Sequence, residues 1–341
     1  MDWNSFRKDS CFSAKSDIKG KIKKPSVIWR EFLSGTIRDM YPLAKPGGEK
    51  DIVFAAGGRI MRVDISGETV WSSAPRGIEG ISFICDLDND GVDEICAANG
   101  REIFIFSAEN GELLFSHYFG PPQSSAAAYS MIIPHNFNKQ ENYYKVIVGL
   151  WSSREILVFD FSKGAKNAFL QHTIDVKDGF HPTVVAADID NCGKDEIIVT
   201  KRGAIYYIDS DSGQLKKSID WISGGERRRN YGLFQIADVN KDGILECIVA
   251  SSLVTRHLSM IGNDGKGNLT VEWDRFIEHI YPTDTTEVRH TYNSLSDVDG
   301  DGYPELVLSL FNTRGDNKWY TEIINPLTGE VKYEFPDTFI W

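Results

Sequence analysis

The sequence predicts an all-β protein built from a repeated unit of four strands. Three observations support this fold class: an acidic loop recurs along the chain, apolar strands flank the copies, and no stretch shows a convincing helical period. A fixed period of this kind identifies a repeat architecture before any single element is assigned.

The acidic loop is nine residues long, with acids mainly at positions 1, 3, 5 and 9 and glycine at position 6. Its copies start at 86, 136, 188, 238 and 297, which are 50, 52, 50 and 59 residues apart. The copy at 136 has lost most of its charges, and a sixth place, 45–51, keeps the flanking strands without the acids. The chain therefore contains six repeats, of which four keep an acidic loop.

Four strands fit into each repeat. An apolar strand such as Ile81–Cys85 enters the loop, and a second strand such as Glu94–Ala98 leaves it. A third strand such as Ala204–Ile208 follows, and a glycine-marked turn leads to a fourth, such as Gly329–Phe335. Repetition of this unit in register is typical of propeller blades. The sequence therefore predicts a β-propeller of about six four-stranded blades, or seven if the two chain ends add a blade.

The loops and their flanking strands resemble the FG-GAP or VCBS repeat family, the integrin-α type of calcium-loop propeller. The resemblance covers roughly residues 36–341. It implies a β-propeller whose loops bind calcium, and it favours an extracellular or cell-surface location. The family includes adhesion modules, lyases and surface proteins, so the resemblance predicts the fold more sharply than the function. The short segments Asp2–Asp9 and Pro25–Arg30 are also similar to the lead-in of quinoprotein-like propellers.

The spacing of the loop acids suits calcium, a hard cation that takes about six to eight oxygen ligands. Glycine at position 6 permits the sharp turn that brings position 9 back toward the ion. Cys192 replaces the acid at position 5 of the loop at 188, and a thiol is a poor calcium ligand, so that site is expected to be weaker or empty. We expect about two to four structural Ca²⁺ ions. The predicted metal ligands are Asp86, Asp88, Asp90 and Glu94; Asp188, Asp190 and Glu196; Asp238, Asn240, Asp242 and Glu246; and Asp297, Asp299, Asp301 and Glu305.

Composition restricts the classes of partner. The formal net charge of −12 argues against a general nucleic-acid binder, because such binding depends on neutralising phosphates. No apolar run reaches the roughly 20 residues that a membrane span needs. Residues 1–26 form a polar lead-in without an apolar signal core, and residues 27–341 are predicted to form a single propeller domain. The sequence itself leaves the localisation open.

Arginines recur at the turn between the second and third strands, which must lie at the end of each blade opposite the acidic loop. Arginine suits bidentate recognition of carboxylate or sulfate, and aromatic rings suit stacking on sugars. The alternative is that these arginines are solubilising surface residues, or that they pair with acids such as Glu79 and Glu226. The predicted ligand-binding residues are Arg59, Arg101, Arg154, Arg202, Arg256, Arg314, Arg229, Trp151 and Trp319.

Three functions fit these patterns. The first is a non-catalytic binding module for an anionic polysaccharide or a protein surface, since no recognisable catalytic motif is present. The second is a polysaccharide lyase that cleaves a uronic-acid polymer by β-elimination, which needs a base and a positive group at the uronate. Arg289, His290, Tyr292 and Tyr231 supply those chemical types. The third and weakest is a quinone-cofactor dehydrogenase, suggested only by the lead-in.

Overall fold

The structure is a computed structural model of the chain. It describes the following residues: 27, 36–45, 48–120, 129–137, 140–150, 155–176, 183–201, 204–220, 234–250, 257–276, 286–289, 295–312 and 318–339. Within these ranges the regular structure consists of β-strands and a single turn of 3-10 helix, Ala165–Asn167. The predicted all-β class is therefore confirmed.

The chain divides into two compact units. Lys15–Asn136 and Gln140–Thr173 form most of the first unit, and Ile174–Trp341 forms most of the second. Each unit contains three sheets, in the order of the chain.

The first unit holds the first three sheets, whose strands follow one another along the chain. The first sheet comprises β1 Arg38–Ala44, β2 Lys50–Ala56, β3 Arg59–Val63 and β4 Thr69–Ser72. The second comprises β5 Gly80–Cys85, β6 Glu94–Asn99, β7 Glu102–Ser107 and β8 Leu113–Tyr118. The third comprises β9 Tyr129–His135, β10 Lys145–Leu150, β11 Glu155–Asp160 and β12 Phe169–Asp175.

The second unit repeats the arrangement. The fourth sheet comprises β13 Thr183–Ala187, β14 Glu196–Lys201, β15 Ala204–Ile208 and β16 Leu215–Asp220. The fifth comprises β17 Phe234–Ala237, β18 Glu246–Ala250, β19 His257–Asn263 and β20 Leu269–Phe276. The sixth comprises β21 Thr286–Arg289, β22 Leu295–Ser296, β23 Glu305–Asn312, β24 Trp319–Ile324 and β25 Val331–Pro336.

Each sheet is an antiparallel meander in which neighbours in sequence are neighbours in space. In the sixth sheet, β21 and β22 both pair with β23 and share the place of one first strand. The six sheets match the six repeats that the sequence predicts. The possibility of a seventh blade depends on residues 28–35 and 340–341, which lie outside the described residues.

The hydrophobic core lies between successive sheets of each unit. Phe104 and Phe106 of β7 pack with residues of the first sheet, whereas Ile103 and Ile105 of the same strand pack with the third. Both faces of a middle strand are thus covered, which is why these strands are continuously apolar rather than alternating. In the second unit the fourth sheet packs on the fifth, and the fifth on the sixth, in the same way.

Candidate metal centre

The four acidic loops share one backbone conformation. Position 4 and position 6 both lie in the left-handed region, where glycine is least strained. At position 6 the φ values are 89° for Gly91, 86° for Gly193, 86° for Gly243 and 93° for Gly302. At position 4 they are 61° for Asn89, 52° for Asn191, 64° for Lys241 and 80° for Gly300. The sharp turn predicted at the position-6 glycine is confirmed.

The first acid of each loop holds this turn together. Its Oδ2 accepts a hydrogen bond from the position-6 amide in all four loops, at 2.9 Å from Gly91 to Asp86 and at 3.0 Å from Gly302 to Asp297. The corresponding distances for Asp188 and Asp238 are both 2.9 Å. In each loop the first acid therefore closes the turn through the amide of the loop's own glycine.

The glutamate at position 9 is buried in every acidic loop. Glu94 and Glu305 are each 1% exposed. Its backbone pairs with the residue just before the loop, as in Cys85–Glu94 and Ser296–Glu305. Its Oε2 accepts the amide of position 2, at 2.8 Å from Leu87 in the second sheet. The other oxygen, Oε1, does not take part in this hydrogen bond and can meet a cation.

In the loop of the second sheet the acids have no counterion among the described residues. Ligand oxygens of Asp86, Asp88 and Asp90 lie within 4.8 Å of one another. Oδ2 of Asp88 accepts a hydrogen bond from the amide of Ala165 at 2.6 Å. Its Oδ1 is buried and has no hydrogen-bond partner among the described residues. Among the described residues, no lysine or arginine pairs with these acids. Burial, followed by the charges of Asp88, Asp90 and Asp86, raises the pKa of Glu94 to about 8.

These properties fit a bound calcium ion. Clustered carboxylate oxygens are the donors that calcium prefers. Among the described residues, none donates a hydrogen bond to the buried Oδ1 of Asp88, and no lysine or arginine balances the charge of these acids. Asp86, Asp88, Asp90 and Glu94 are the residues that would hold the ion, and the ion would supply the missing positive charge.

The loop of the fourth sheet differs because a lysine enters it. Nζ of Lys216, on β16, lies 2.6 Å from Oε1 of Glu196 and 3.1 Å from Oδ2 of Asp190. The backbone amide of Cys192 donates hydrogen bonds to the carboxylates of Asp188 and Asp190. Although burial opposes the shift, the hydrogen bonds from Cys192 and Lys216 lower the pKa of Asp190.

The loop of the sixth sheet has the same arrangement. Nζ of Lys332, on β25, lies 2.6 Å from Oε1 of Glu305, 3.0 Å from Oδ2 of Asp299 and 3.5 Å from Oδ2 of Asp301. Hydrogen bonding to Lys332 lowers the pKa of Asp299. The ammonium group therefore lies among the oxygens of the predicted metal ligands.

The loop of the fifth sheet uses an amide instead of a cation. Asn240 donates its Nδ2 to Oδ2 of Asp242 at 3.1 Å and to Oε1 of Glu246 at 3.2 Å. Burial, followed by the charges of Asp242 and Asp238, raises the pKa of Glu246. A neutral amide relieves only part of the repulsion between the carboxylates. The fifth loop is therefore intermediate between the second loop and the lysine-paired fourth and sixth loops.

The two sheets without an acidic loop also have a charged residue at the position that corresponds to the position-9 glutamate. In the first sheet, Asp51 occupies the place of the glutamate and is 1% exposed. It pairs with Nζ of Lys45 at 2.9 Å and with Nε of Arg62 at 2.7 Å. In the third sheet that place is taken by Lys145, which is buried and pairs in register with Asp160.

All of the predicted metal ligands lie in their expected loops, but the sequence interpretation missed the lysines and the arginine that meet the acids. A signal for two of them was present. Lys216 and Lys332 each stand three residues after the glycine of the turn between the third and fourth strands, Gly213 and Gly329.

At the ends of the sheets opposite the acidic loops, the structure describes only some of the predicted basic and aromatic residues. Arg59 begins β3 and Arg101 lies in the turn before β7, as expected. Trp319 begins β24, and its ring centroid lies 4.2 Å from that of Phe339. Arg289 ends β21. The other predicted ligand-binding and catalytic residues lie outside the described residues: Arg154, Arg202, Arg229, Arg256, Arg314, Trp151, Tyr231, His290 and Tyr292.

A cavity of about 320 Å³ opens at this end of the first unit. Its buried apolar wall is formed by Ala55, Ala56 and Ile78, and exposed polar residues, among them Arg38 and Glu79, stand around it. The cavity lies beside the β2–β3 turn, at the end of the first sheet away from the segment that links β1 to β2. Thr36, Arg38 and Glu79 therefore offer polar groups to a ligand at this concave surface.

Comparisons with known proteins agree with the fold. The exotype rhamnogalacturonan lyase YesX matches with a TM-score of 0.56 at 14% identity, over 89% of this chain and 57% of its own. The rhamnogalacturonan lyase YesW matches with a TM-score of 0.54 at 15% identity, over 82% of this chain and 56% of its own. Sqt1 of Saccharomyces cerevisiae, a β-propeller, matches with a TM-score of 0.52 at 11% identity, over 89% of this chain and 86% of its own.

The fold is a β-propeller. Each four-stranded sheet corresponds to one blade, and the six described sheets fit six blades. The chain spans little more than half the length of the two lyases. No protein-family model matches the chain, and no curated protein matches it. None of the described residues forms a helix with the length and apolar character needed to cross a membrane.

Proposed function

We propose that the chain is a calcium-stabilised β-propeller module that binds an anionic or carbohydrate ligand at the blade ends opposite the acidic loops. The observation that carries this proposal is the cavity beside the β2–β3 turn. Arg38 at its edge would meet a carboxylate or sulfate, and Thr36 and Glu79 would meet hydroxyl groups of a sugar.

Nearby arginines extend the positive charge at this end of the first unit. Arg59 and Arg101 lie at the turns between second and third strands, and Arg76 lies between β4 and β5. The guanidinium of Arg76 lies 5.8 Å from the centre of the Phe104 ring. Glu79 contributes one negative charge to the cavity wall, which favours a ligand that also offers hydroxyl donors over a simple polyanion.

The calcium part of the proposal rests on the loop of the second sheet. Its carboxylates lack a counterion among the described residues, and a bound ion would join β5 and β6 to the loop. Because an ion that binds only the folded state stabilises it, calcium would stabilise the propeller rather than take part in chemistry.

Binding to oligogalacturonate tests the ligand proposal. We expect the wild type to bind, and Arg38→Ala to weaken binding about tenfold, which corresponds to about 1.4 kcal/mol. The matched control is Lys166→Ala, which removes an exposed positive charge from the loop end of the third sheet. Equal affinity of wild type and Arg38→Ala would contradict the proposed position of the site.

The lyase function is a second candidate, because two proteins that share the fold, YesW and YesX, are rhamnogalacturonan lyases. The likeness extends to the fold alone. Turnover would release an unsaturated, ultraviolet-absorbing product from a uronic-acid polymer. If the chain is a lyase, Tyr292→Phe abolishes product release and leaves binding nearly unchanged. If neither the wild type nor the variant releases product, the binding module stands.

A further inference from the structure

A β-bulge in the fourth strand places one side chain beside the acidic loop of the same sheet. In β16, Leu215 pairs with Ile208 and Lys217 pairs with Tyr207, so that Lys216 is left over in the bulge. Bulges commonly re-aim a side chain in this way.

Lys332 has the same position in the sixth sheet. Val331 pairs with Ile324 and Tyr333 pairs with Ile323, which leaves Lys332 in the bulge of β25. In both sheets the re-aimed ammonium lies 2.6 Å from Oε1 of the buried position-9 glutamate. This is the glutamate oxygen that the loop amide leaves unused.

The bulge residue is different in the second and fifth sheets, whose loop acids meet no lysine or arginine in the part of the chain that the structure describes. In the second sheet it is Leu114, between the pairs Leu113–Phe106 and Phe115–Ile105. In the fifth sheet it is Glu272, and the loop acids there meet the amide of Asn240 instead. Among the four acidic loops, a lysine in the bulge thus coincides with an ion pair to the position-9 glutamate, and the second and fifth loops have neither among the described residues.

We propose that Lys216 and Lys332 are built-in counterions that take the place of calcium in the fourth and sixth loops, so that calcium dependence is confined to the loops without such a lysine. The ammonium and a calcium ion would need the same carboxylate oxygens, and two like charges at that separation repel. The donor sets at 188 and 297 therefore do not fit a calcium ion while the lysine is in place. The inference rests on the proposed function in one respect: the contrast with the second loop assumes that the second loop binds calcium.

Exchanging the bulge residues tests the inference. The parent is Asp86→Asn, which disables the second loop and removes its calcium response. In that background, Lys332→Leu reproduces the bulge residue of the second sheet. We expect the double variant to bind one more calcium ion per chain than the parent in equilibrium dialysis, and to gain a calcium-dependent rise in melting temperature. Lys318→Leu is the matched control, since Lys318 makes an exposed ion pair with Asp337 in the same sheet.

The reciprocal variant keeps the test decisive if Lys332→Leu does not fold. Leu114→Lys in the wild type introduces an ammonium at the second loop, and we expect it to abolish that loop's calcium response. Retention of the response, or a folded Lys332→Leu variant that gains no calcium, would overturn the inference. Loss of bound calcium from the wild type on Asp297→Asn would overturn it as well. If Asp86→Asn binds as much calcium as the wild type, the proposed second-loop site fails, and the Lys332→Leu comparison still decides the inference.

Discussion

Trp71 donates its indole Nε1–H to the carbonyl of Ala108 at 3.2 Å, and its ring covers the turn glycine Gly111. The same relationship recurs in the second unit, where Trp273 donates to the carbonyl of Pro326 at 2.9 Å. Each tryptophan joins the last strand of one sheet to the turn between the third and fourth strands of the next. A buried indole usually needs such an acceptor, and here a turn of the neighbouring sheet provides it.

Gly111→Ala is expected to destabilise the first unit. A Cβ at Gly111 would lie 2.6 Å from Cε3 of Trp71, and the φ of Gly111 is 75°. Overpacking of this kind costs about 1–3 kcal/mol, in addition to the strain of a left-handed alanine. The control is Gly48→Ala, where φ is 87° and no atom lies within 4 Å of the added Cβ. Equal losses in the free energy of unfolding, measured by denaturant titration, would show that the tryptophan contact is not restrictive.

Arg62→Met is expected to lower the free energy of unfolding by about 2–3 kcal/mol, since hydrogen bonds to charged groups contribute about that much. Nε of Arg62 forms an ion pair with the buried Asp51, and its Nη1 donates a hydrogen bond to the carbonyl oxygen of Ala108, with an N to O distance of 2.8 Å. The variant leaves Asp51 with Lys45 alone and removes a contact between the first and second sheets. Arg59→Met, in the same strand, is the control. A smaller loss for Arg62→Met than for Arg59→Met would contradict this role.

Removal of calcium is expected to lower the melting temperature of the wild type. An ion present at a hundredfold excess over its Kd stabilises the folded state by about 2.7 kcal/mol. Asp88→Asn should remove this response, because Asp88 holds the unpartnered buried oxygen of the second loop. Asp337→Asn, which changes an exposed acid of the sixth sheet, should keep it. Scanning calorimetry with and without a chelator measures the difference, and a response that survives in Asp88→Asn would place the ion elsewhere.

The fourth loop should need two changes before it binds calcium. Cys192→Asp restores the acid at position 5, but Lys216 still pairs with Glu196 and Asp190. We therefore expect no calcium-dependent stabilisation from Cys192→Asp alone, and a clear stabilisation from Cys192→Asp combined with Lys216→Leu. Thermal unfolding in chelator and in calcium compares the two variants with the wild type. A gain from the single variant would show that the lysine is no obstacle.

The regular features of this fold are predictable from the sequence because they are local. Strand order and the turn at position 6 follow from residues within one repeat. The counterions are harder to predict. Lys216 follows Glu196 by 20 residues and Lys332 follows Glu305 by 27, and each reaches its glutamate only because a bulge turns it toward the loop.

The repeat, the all-β class and the acidic loops are encoded in the order of the residues, since a glycine and a set of carboxylates at fixed spacing define the loop wherever the chain places it. How each loop is neutralised depends on contacts made in the folded protein. Loops with nearly the same ligand pattern differ because the balancing charge comes from another strand of the sheet: a lysine at Glu196 and Glu305, and none at Glu94 among the described residues. A buried carboxylate must meet a positive charge or take up a proton, and that requirement is satisfied in three dimensions rather than along the chain.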